Sequence, residues 1–446
     1  VSINIGSGLE TIESGALAFC EKLEIVYFED SPLQSISSET FVSDTALTSV
    51  RLPNNLVDIY SCAFLSTFSL KSIVFPDSLK YVGIQAFQYS GLETVTFNEG
   101  IQGVDSSSFS YNMSLQSIYI PESMFRIDNL AFLGCEKLSS IEVSINNDHF
   151  KFENGVLYNY DKTEIYIYLP SNQAISYTLP ETITSLRPAA FSNASFEEFN
   201  FNSTLTYIPD YAFYHCSNLT EIVIPEQIKS AGISVFDSAT ALEKVTFPDD
   251  FKEIPETMFR LTFALKEVNF SKNLQKIGVF AFIQSGIEEL DIPETLDHIA
   301  DWAFVACFLL DELKLPDTLR YIDFLALPVI QKVNIPKHLE FLGNRALGFG
   351  DMDELVFPDS LTSAGEFLGE SEYKETRYID FGNVEDVVFN FYNGSRLEAI
   401  VLGENTKTVS LNGHSVKMIH LYVPNSITEI NIVNDYEYDN YVIHGL

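Results

Sequence analysis

The stretch from Leu274 to Pro293, LQKIGVFAFIQSGIEELDIP, is a phrase that most of the chain repeats. Its next copy opens at Leu296. Ile277 is matched by Ile299, Ala281-Phe282 by Ala303-Phe304, and Leu290-Asp291-Ile292-Pro293 by Leu313-Lys314-Leu315-Pro316. The step is about 23 residues, and a fixed step of roughly 20–50 marks a stacked-repeat architecture. Length alone would suggest about three compact domains. A solenoid escapes that ceiling, because each unit buries its apolar face against its neighbour.

Each copy offers one strand, ended by proline at Pro53, Pro76, Pro121, Pro180, Pro225, Pro248, Pro293, Pro316, Pro336, Pro358 and Pro424. Elsewhere Asn98, Asn202, Ser271, Gly382 and Gly403 hold that slot. The residues ahead of it, such as Ser72-Ile73-Val74-Phe75, alternate with the period of two of a half-buried strand. Proline ends the strand because it cannot donate to the ladder. Stacked copies therefore predict a parallel sheet.

The second signal is a phenylalanine in the same place in successive copies: Phe19, Phe41, Phe64, Phe87, Phe109, Phe132, Phe191, Phe213, Phe236, Phe259, Phe282 and Phe304. Alanine often precedes it, as at Ala63, Ala86, Ala131, Ala190, Ala212, Ala281 and Ala303. Stacked one coil apart, the rings should form an aromatic spine inside the solenoid. Segments such as Leu79-Lys80-Tyr81-Val82-Gly83 leave room for a second short strand and a turn of helix.

The run from Tyr207-Ile208 through Phe213, Cys216, Leu219, Ile222 and Ile224-Pro225 resembles the BspA-type leucine-rich repeat almost throughout. Asn146 to Pro170 resembles the hairpin unit this family often inserts between coils, and Asn154-Gly155 suits its tight type I′ turn. The resemblance implies an α/β-type repeat solenoid, a right-handed leucine-rich repeat superhelix. A parallel β-sheet would line its concave face, with short second strands and short helical turns on the convex side and little regular helix. Repeats are expected over 1–145 and 171–375, the inserted hairpin over 146–170, and degenerate strand-rich repeats or a cap over 376–446. Within the last region Glu366-Phe367-Leu368-Gly369 replaces Ala-Phe, and strand rhythm persists in Tyr378 to Phe381, Leu397 to Leu402 and Met418 to Pro424. A degenerate terminal cap and strand-only coils leading into further sequence are both open. The apolar run Tyr441 to Leu446 favours continuation or docking over a solvated tail.

Composition narrows the partner. Hydrophobic residues make up 46% of the chain, which excludes general disorder. Against 26 basic residues stand 62 acidic ones, a net charge of −36, and such a field repels nucleic acid and anionic lipid. No run approaches the roughly 20 apolar residues of a membrane helix. The chain lacks an initiating methionine and begins inside a repeat, at Val1-Ser2-Ile3-Asn4-Ile5, as a chain freed of a signal peptide would. Cys20, Cys62, Cys135, Cys216 and Cys307 share no metal-ligand spacing and read as buried structural thiols. Nucleotide loops, HExxH and GxSxG are absent, and His149, His215, His298, His338, His414, His420 and His444 fall in different coils. Neither catalysis nor a cofactor is expected. Asp351-Met352-Asp353-Glu354 offers clustered oxygen ligands for calcium but lacks the full loop pattern. Asn112, Asn193, Asn202, Asn218, Asn269 and Asn393 begin glycosylation sequons, as chance alone would supply in a chain rich in Ser and Thr.

What remains is the outward side of the sheet. Early coils present Tyr27, Arg51, Val74, Thr96 and Tyr119; later coils present Glu198, Glu221, Glu267, Glu289, Asp291, Glu312 and Glu354, with Lys244 and Lys332 between. Like charges opposite one another destabilise a sheet unless cations or a partner offset them. These residues are the candidate partner-binding positions of the concave face, although solvation alone would also account for the glutamates. The resemblance implies a secreted or cell-surface protein, monomeric, adhering to host matrix, mucosal or other-cell proteins. A structural spacer holding another domain away from the surface is the alternative, and an enzyme comes third.

Overall fold

The computed structural model describes residues 1–327, 329–330, 332–349, 353–365, 367–369, 376–391, 396–413, 419–434 and 441–445. Asp351, Met352, Glu366, Asn393, His414, Met418 and Leu446 lie outside the described residues. The chain divides into two compact units, Val1–Leu219 and Thr220–Leu446. Each is a stack of coils carrying two ladders of short parallel strands, with no helix among the described residues.

In the first unit one ladder joins Ser2–Ile5, Ile25–Phe28 and Ser49–Arg51, and further along Thr94–Thr96, Ser117–Ile120 and Ser140–Val143. The second ladder runs through Ser35–Ile36, Asp58–Ile59, Tyr81–Val82, Gly103–Val104 and Arg126–Ile127. The second unit repeats the scheme. Glu221–Val223, Lys244–Thr246 and Glu267–Asn269 pair in one ladder, and the strands from Glu253–Ile254 to Ser363–Ala364 pair in the other. Toward its end the strands of the second ladder lengthen to six residues at Asp386–Phe391, Thr408–Gly413 and Glu429–Asn434, all in parallel register.

Between the second strand and the next first strand, where helical turns were expected, the chain forms a ribbon of turns. Around Phe64, the N–H groups of Cys62, Phe64 and Ser66 donate to carbonyls of the next coil at 2.9, 2.7 and 2.9 Å. Those of Ala63 and Leu65 close turns within their own coil. The alternation requires left-handed backbone at Cys62 (φ 58°) and Ser66 (φ 62°), and the pattern recurs at Gln85 and Tyr89, at Ser107 and Tyr111, and at Thr257 and Leu261. A non-glycine residue there carries about 1–2 kcal/mol of strain, held in place by the bonds to the adjacent coil. A helix is excluded because every second N–H is committed to a neighbouring coil.

The ribbon positions the spine. Phe41, Phe64, Phe87 and Phe109 are fully buried. Successive centroids from Phe41 to Phe132 lie 4.9, 4.8, 5.3 and 5.6 Å apart, with ring planes within 21° of parallel. In the second unit Phe236, Phe259, Phe282 and Phe304 follow at 5.8, 5.2 and 5.1 Å. Phe19 does not belong to this row: it is 70% exposed, with φ 60°. Its N–H bonds Val42 as that of Ser43 bonds Leu65, whereas Leu17 bonds Thr40 as Phe41 bonds Ala63. Leu17 therefore fills the ring slot of the first coil, two residues earlier than the Ala18-Phe19 pair suggests.

Three residues after the ring slot comes a buried polar seam. Thr67 and Thr262 donate to the carbonyls of Phe64 and Phe259 at 2.8 and 2.7 Å, and Asn112 donates to Phe87 and Phe109. The thiols of Cys135, Cys216 and Cys307 donate to Phe109, Phe191 and Phe282 at 3.3, 3.1 and 3.0 Å. Burial pushes Cys135 up to about 12 and Cys307 up to about 11, and raises Cys216 as well. Cys20, counted from Leu17, falls in the same slot. Where the slot is followed by glycine the coil is one residue shorter. A Cβ on Gly91 would sit 2.1 Å from the Phe68 carbonyl oxygen, and one on Gly286 would sit 1.9 Å from that of Phe263.

The inserted segment is an antiparallel sheet of Phe150–Glu153, Val156–Asn159 and Glu164–Tyr168, whose last strand runs parallel to Ser185–Leu186. Asn154 (φ 53°) and Gly155 (φ 80°) supply the two left-handed residues that a type I′ turn needs. Tyr168, fully buried, donates its N–H to Ala190 as the spine residues do, and its ring lies 5.6 Å from Phe191.

Phe87→Ala should lower stability by about 3–5 kcal/mol, checked by chemical denaturation. Asp44 occupies the polar seam without a donor to offer. Its Oδ1 accepts the Cys20 N–H at 2.7 Å, while its buried Oδ2 lacks a partner among the described residues. Burial raises its pKa from 3.8 to about 6, against the lowering effect of the Cys20 N–H. The folded state thus holds the proton more tightly than the unfolded state. The resulting penalty on the folded state is nearly absent at pH 4, grows as pH rises, and is complete above about 6. Asp44→Asn, which can bond as Asn112 does, should raise the melting temperature at pH 7.5 and leave it nearly unchanged at pH 4.

Candidate binding face

Each strand of the first ladder presents two outward positions around one buried residue, as in the exposed-buried-exposed pattern of Ser49–Arg51 and Thr94–Thr96. Successive coils align these positions into two columns. In the downstream column Asn4, Tyr27, Arg51 and Val74 stand opposite one another in turn, and Thr96, Tyr119 and Glu142 do likewise. The upstream column carries the candidate glutamates. Glu198 lies opposite Ser176 in the first unit; in the second, Glu221, Lys244 and Glu267 are consecutive, Glu312 faces Lys332, and Glu354 faces Tyr378. Glu289 and Asp291 are exposed on a stretch with no assigned strand. The candidate residues therefore fall into separate columns as well as separate coils, which single-coil alternation could not reveal.

The first unit's face exposes apolar side chains among its polar ones. Val74 is 81% exposed, Ile25 44% and Tyr27 43%. The Arg51 guanidinium lies 4.7 Å from the Tyr27 ring centroid, donates to the Tyr27 hydroxyl and sits 3.5 Å from Asp30. Tyr27 is thereby fixed in one orientation while Val74 stays uncovered.

The second unit's face balances its own charge in part. Lys244 Nζ sits 3.1 Å from Glu267 and 4.0 Å from Glu221, and Lys332 sits 3.9 Å from Glu312. The hydrogen bond to Glu267 raises Lys244 above its usual value, and Asn269 and Lys244 together hold Glu267 below its own. The carboxylate row is thus interrupted by lysine on the intervening strand, one of the compensations that like charges on a sheet require.

Residues with other candidate chemistry are dispersed. His149 pairs with Asp148 at 3.2 Å, His215 with Glu136 at 3.2 Å and His298 with Asp323 at 2.6 Å. Asp353, from the acidic run considered for calcium, accepts two bonds from Arg377 at 2.6 and 2.7 Å. No group of three or more His, Cys, Asp or Glu among the described residues is placed to hold a metal ion. Asn112 and Asn202, two of the sequon asparagines, are buried with their amides bonded to main-chain carbonyls. Two features escaped the sequence reading. One is an open groove lined by Asp359, Asp380, Gly382, Asn383, Gly403 and Glu404, where glycine stands in the strand-end proline slot. The other is the pairing of His420 with His444.

The family described as BspA type leucine rich repeat region (6 copies) matches residues 1–90, 57–177, 170–265, 252–374 and 324–433. No curated protein matches the chain. Among solved structures, a leucine-rich repeat protein from Eubacterium ventriosum ATCC 27560 is similar at 24% identity. It covers 71% of this chain and 87% of its own, with a TM-score of 0.62. A leucine rich cell surface protein from Faecalibacterium prausnitzii A2-165 is similar at 24% identity, covering 60% and 79%, with a TM-score of 0.52. Both likenesses are in fold. No helix among the described residues is long and apolar enough to cross a membrane.

Lys244→Glu would place three carboxylates side by side on adjacent strands. The melting temperature should fall slightly at low ionic strength, and the loss should shrink in high salt as screening shortens the repulsion. A loss independent of salt would show that the lysine acts through its stem.

Proposed function

The chain belongs to the BspA-type leucine-rich repeat family, and from that premise we propose that it is a non-catalytic protein-binding module of a secreted or surface-attached protein. It adheres, as a monomer, to host matrix, mucosal or other-cell proteins through the outward face of its first strand ladder. The observation that carries this reading is the exposure of Ile25, Tyr27 and Val74 on one face of the first unit's sheet, with Arg51 between Tyr27 and Val74. Exposed apolar side chains gathered on one face mark interaction sites more than singly scattered ones do. Tyrosine held by Arg51 offers contact area with little entropy left to lose. Thr96 and Tyr119 extend the same column with hydroxyls.

Charge selects the partner. With a net charge of −36, the chain favours basic or neutral protein surfaces and disfavours nucleic acid and anionic lipid. Glu198, Glu221, Glu267, Glu289, Asp291, Glu312 and Glu354 are the positions that would meet such a surface. The similar protein from Faecalibacterium prausnitzii is described as a cell surface protein, which supports a surface location for this chain. A second reading, a structural spacer, is favoured by the Glu221-Lys244-Glu267 and Glu312-Lys332 ladders, since a face that neutralises itself needs no partner.

The test is a screen of immobilised matrix and mucosal proteins against the chain, followed by two variants on any ligand found. Val74→Glu combined with Tyr27→Ala should weaken binding by about tenfold or more without lowering the melting temperature. Reversal of Glu267, Glu289 and Glu312 to Lys should abolish binding to a basic ligand. Unchanged affinity in the reversal rejects the electrostatic part of the proposal, and unchanged affinity in both rejects this face as the site.

A further inference from the structure

We propose that His420 and His444 form a half-buried binding site for a divalent transition-metal ion of the copper(II), nickel(II) or zinc(II) class. The two residues lie on adjacent parallel strands, Ile419–Val423 and Tyr441–Gly445, with His420 opposite Val442 and Tyr422 opposite His444. Strand alternation and this register place both imidazoles on one side of the sheet. His420 Nδ1 is 2.9 Å from His444 Nε2, the ring centroids are 5.2 Å apart and the planes differ by 20°. The rings are thus nearly coplanar, with one nitrogen donating to the lone pair of the other. Tyr422 stacks on the face of His444 at 4.6 Å and 16°, which limits the motion of that ring.

The other paired histidines, His149, His215 and His298, have carboxylate partners. Only here, among the described residues, do two imidazole nitrogens face each other. Two nitrogens in cis positions at about 2.0–2.1 Å from an ion lie about 2.9 Å apart, so the separation needed for bidentate binding is already present. What must change is direction. Each ring turns so that its lone pair meets the other at a point beside the present hydrogen bond. The ring that now donates moves its proton to its far nitrogen, a change of tautomer with no net ionisation. Imidazole suits copper, nickel and zinc, and a cis right-angle pair favours the tetragonal ions over tetrahedral zinc. Water occupies the remaining positions. The bound ion ties the last described strand to its neighbour and so stabilises the end of the second unit by mass action.

The experiment uses the full chain at neutral pH. Calorimetric titration with nickel(II), zinc(II) or copper(II) chloride should show binding, and His420→Gln and His444→Gln should each weaken it by at least tenfold. The metal-free melting temperature of each variant reports whether it has folded. Copper(II) electron paramagnetic resonance on the unaltered chain needs no variant and should show coupling to two imidazole nitrogens. Absence of binding overturns the proposal and leaves the pair a hydrogen-bonded clasp. Undiminished binding in both folded variants, or a copper signal without two nitrogens, overturns it in favour of sites elsewhere.

Discussion

Successive coils are tied to one another by backbone hydrogen bonds at every strand and at alternate residues of the turn ribbon, and the spacing those bonds impose governs the core. A parallel ladder repeats at about 4.8 Å. One aromatic ring per coil, repeated at nearly that interval, has little room for an edge-on neighbour in its own row. The phenylalanines of the spine from Phe41 to Phe132 and from Phe236 to Phe304 accordingly lie within 21° of parallel at 4.8 to 5.8 Å, whereas Tyr168, entering from the inserted strand, is tilted 44° to Phe191. Edge-on contacts occur instead between the spine and rings of the strand row, as between Phe75 and Phe87 and between Phe97 and Phe109. The residue before each ring in this row is bonded into the same frame. The carbonyls of Ala63, Ala86 and Ala131 receive the N–H of the preceding coil's ring residue at 2.8, 2.7 and 2.9 Å, and buried Met258 accepts that of Phe236 at 3.0 Å, so the slot favours alanine but also takes a larger side chain.

The same spacing fixes what the polar seam must do. The carbonyls of the spine residues accept the N–H three residues on, as from Ala194 and Ala239, and several take a second, side-chain donor small enough to fit beside the ring. Thr, Ser, Asn and Cys all meet that demand, which is why residues of different chemistry exchange freely in one slot. Cys135, Cys216 and Cys307 are therefore weak donors held as thiols by burial. The expectation of buried thiols fails for Cys20 and Cys62, which are half-buried; Cys62 sits at a left-handed position of the ribbon, outside the seam, and its thiol points to Gln85. Asp44 keeps the size but lacks the proton, so it is the one described position in the seam where fold and charge conflict.

Much of this was legible in the sequence because repetition exposes it. Strand ends, the buried residue of each strand, the spine from Phe41 to Phe304 and the Asn154-Gly155 turn all follow from spacing and from the backbone preferences of single residues. The failures share a cause. Phe19 was placed by the local Ala-Phe pair, whereas hydrogen-bond register with the next coil decides the slot and selects Leu17. Segments such as Leu79 to Gly83 are short enough to suggest a turn of helix, yet Cys62, Ser66, Gln85 and Tyr89 adopt left-handed backbone because inter-coil bonds enforce it. Tyr168 was missed because it reaches the spine from an inserted strand outside the repeat phrase. The two outward columns and the His420–His444 contact depend on register between coils, which no single coil encodes.

The outward columns are free to vary for the reason that the core is not. A side chain that leaves the ladder toward solvent meets neighbours on the same outward face, such as Asn269 beside Glu267, so exchanging it leaves spine and seam untouched. Within one scaffold the first unit can then carry Ile25, Tyr27 and Val74 on its face while the second carries glutamates interrupted by Lys244 and Lys332. The two faces differ in what contact would require of them. Removing Val74 from water is favourable in itself. Removing Glu221 or Glu267 means displacing the hold of Lys244 and replacing it with a cation from elsewhere. Recognition built on this fold is thus carried by residues that the fold does not need, and specificity between ligands follows from which column a ligand engages.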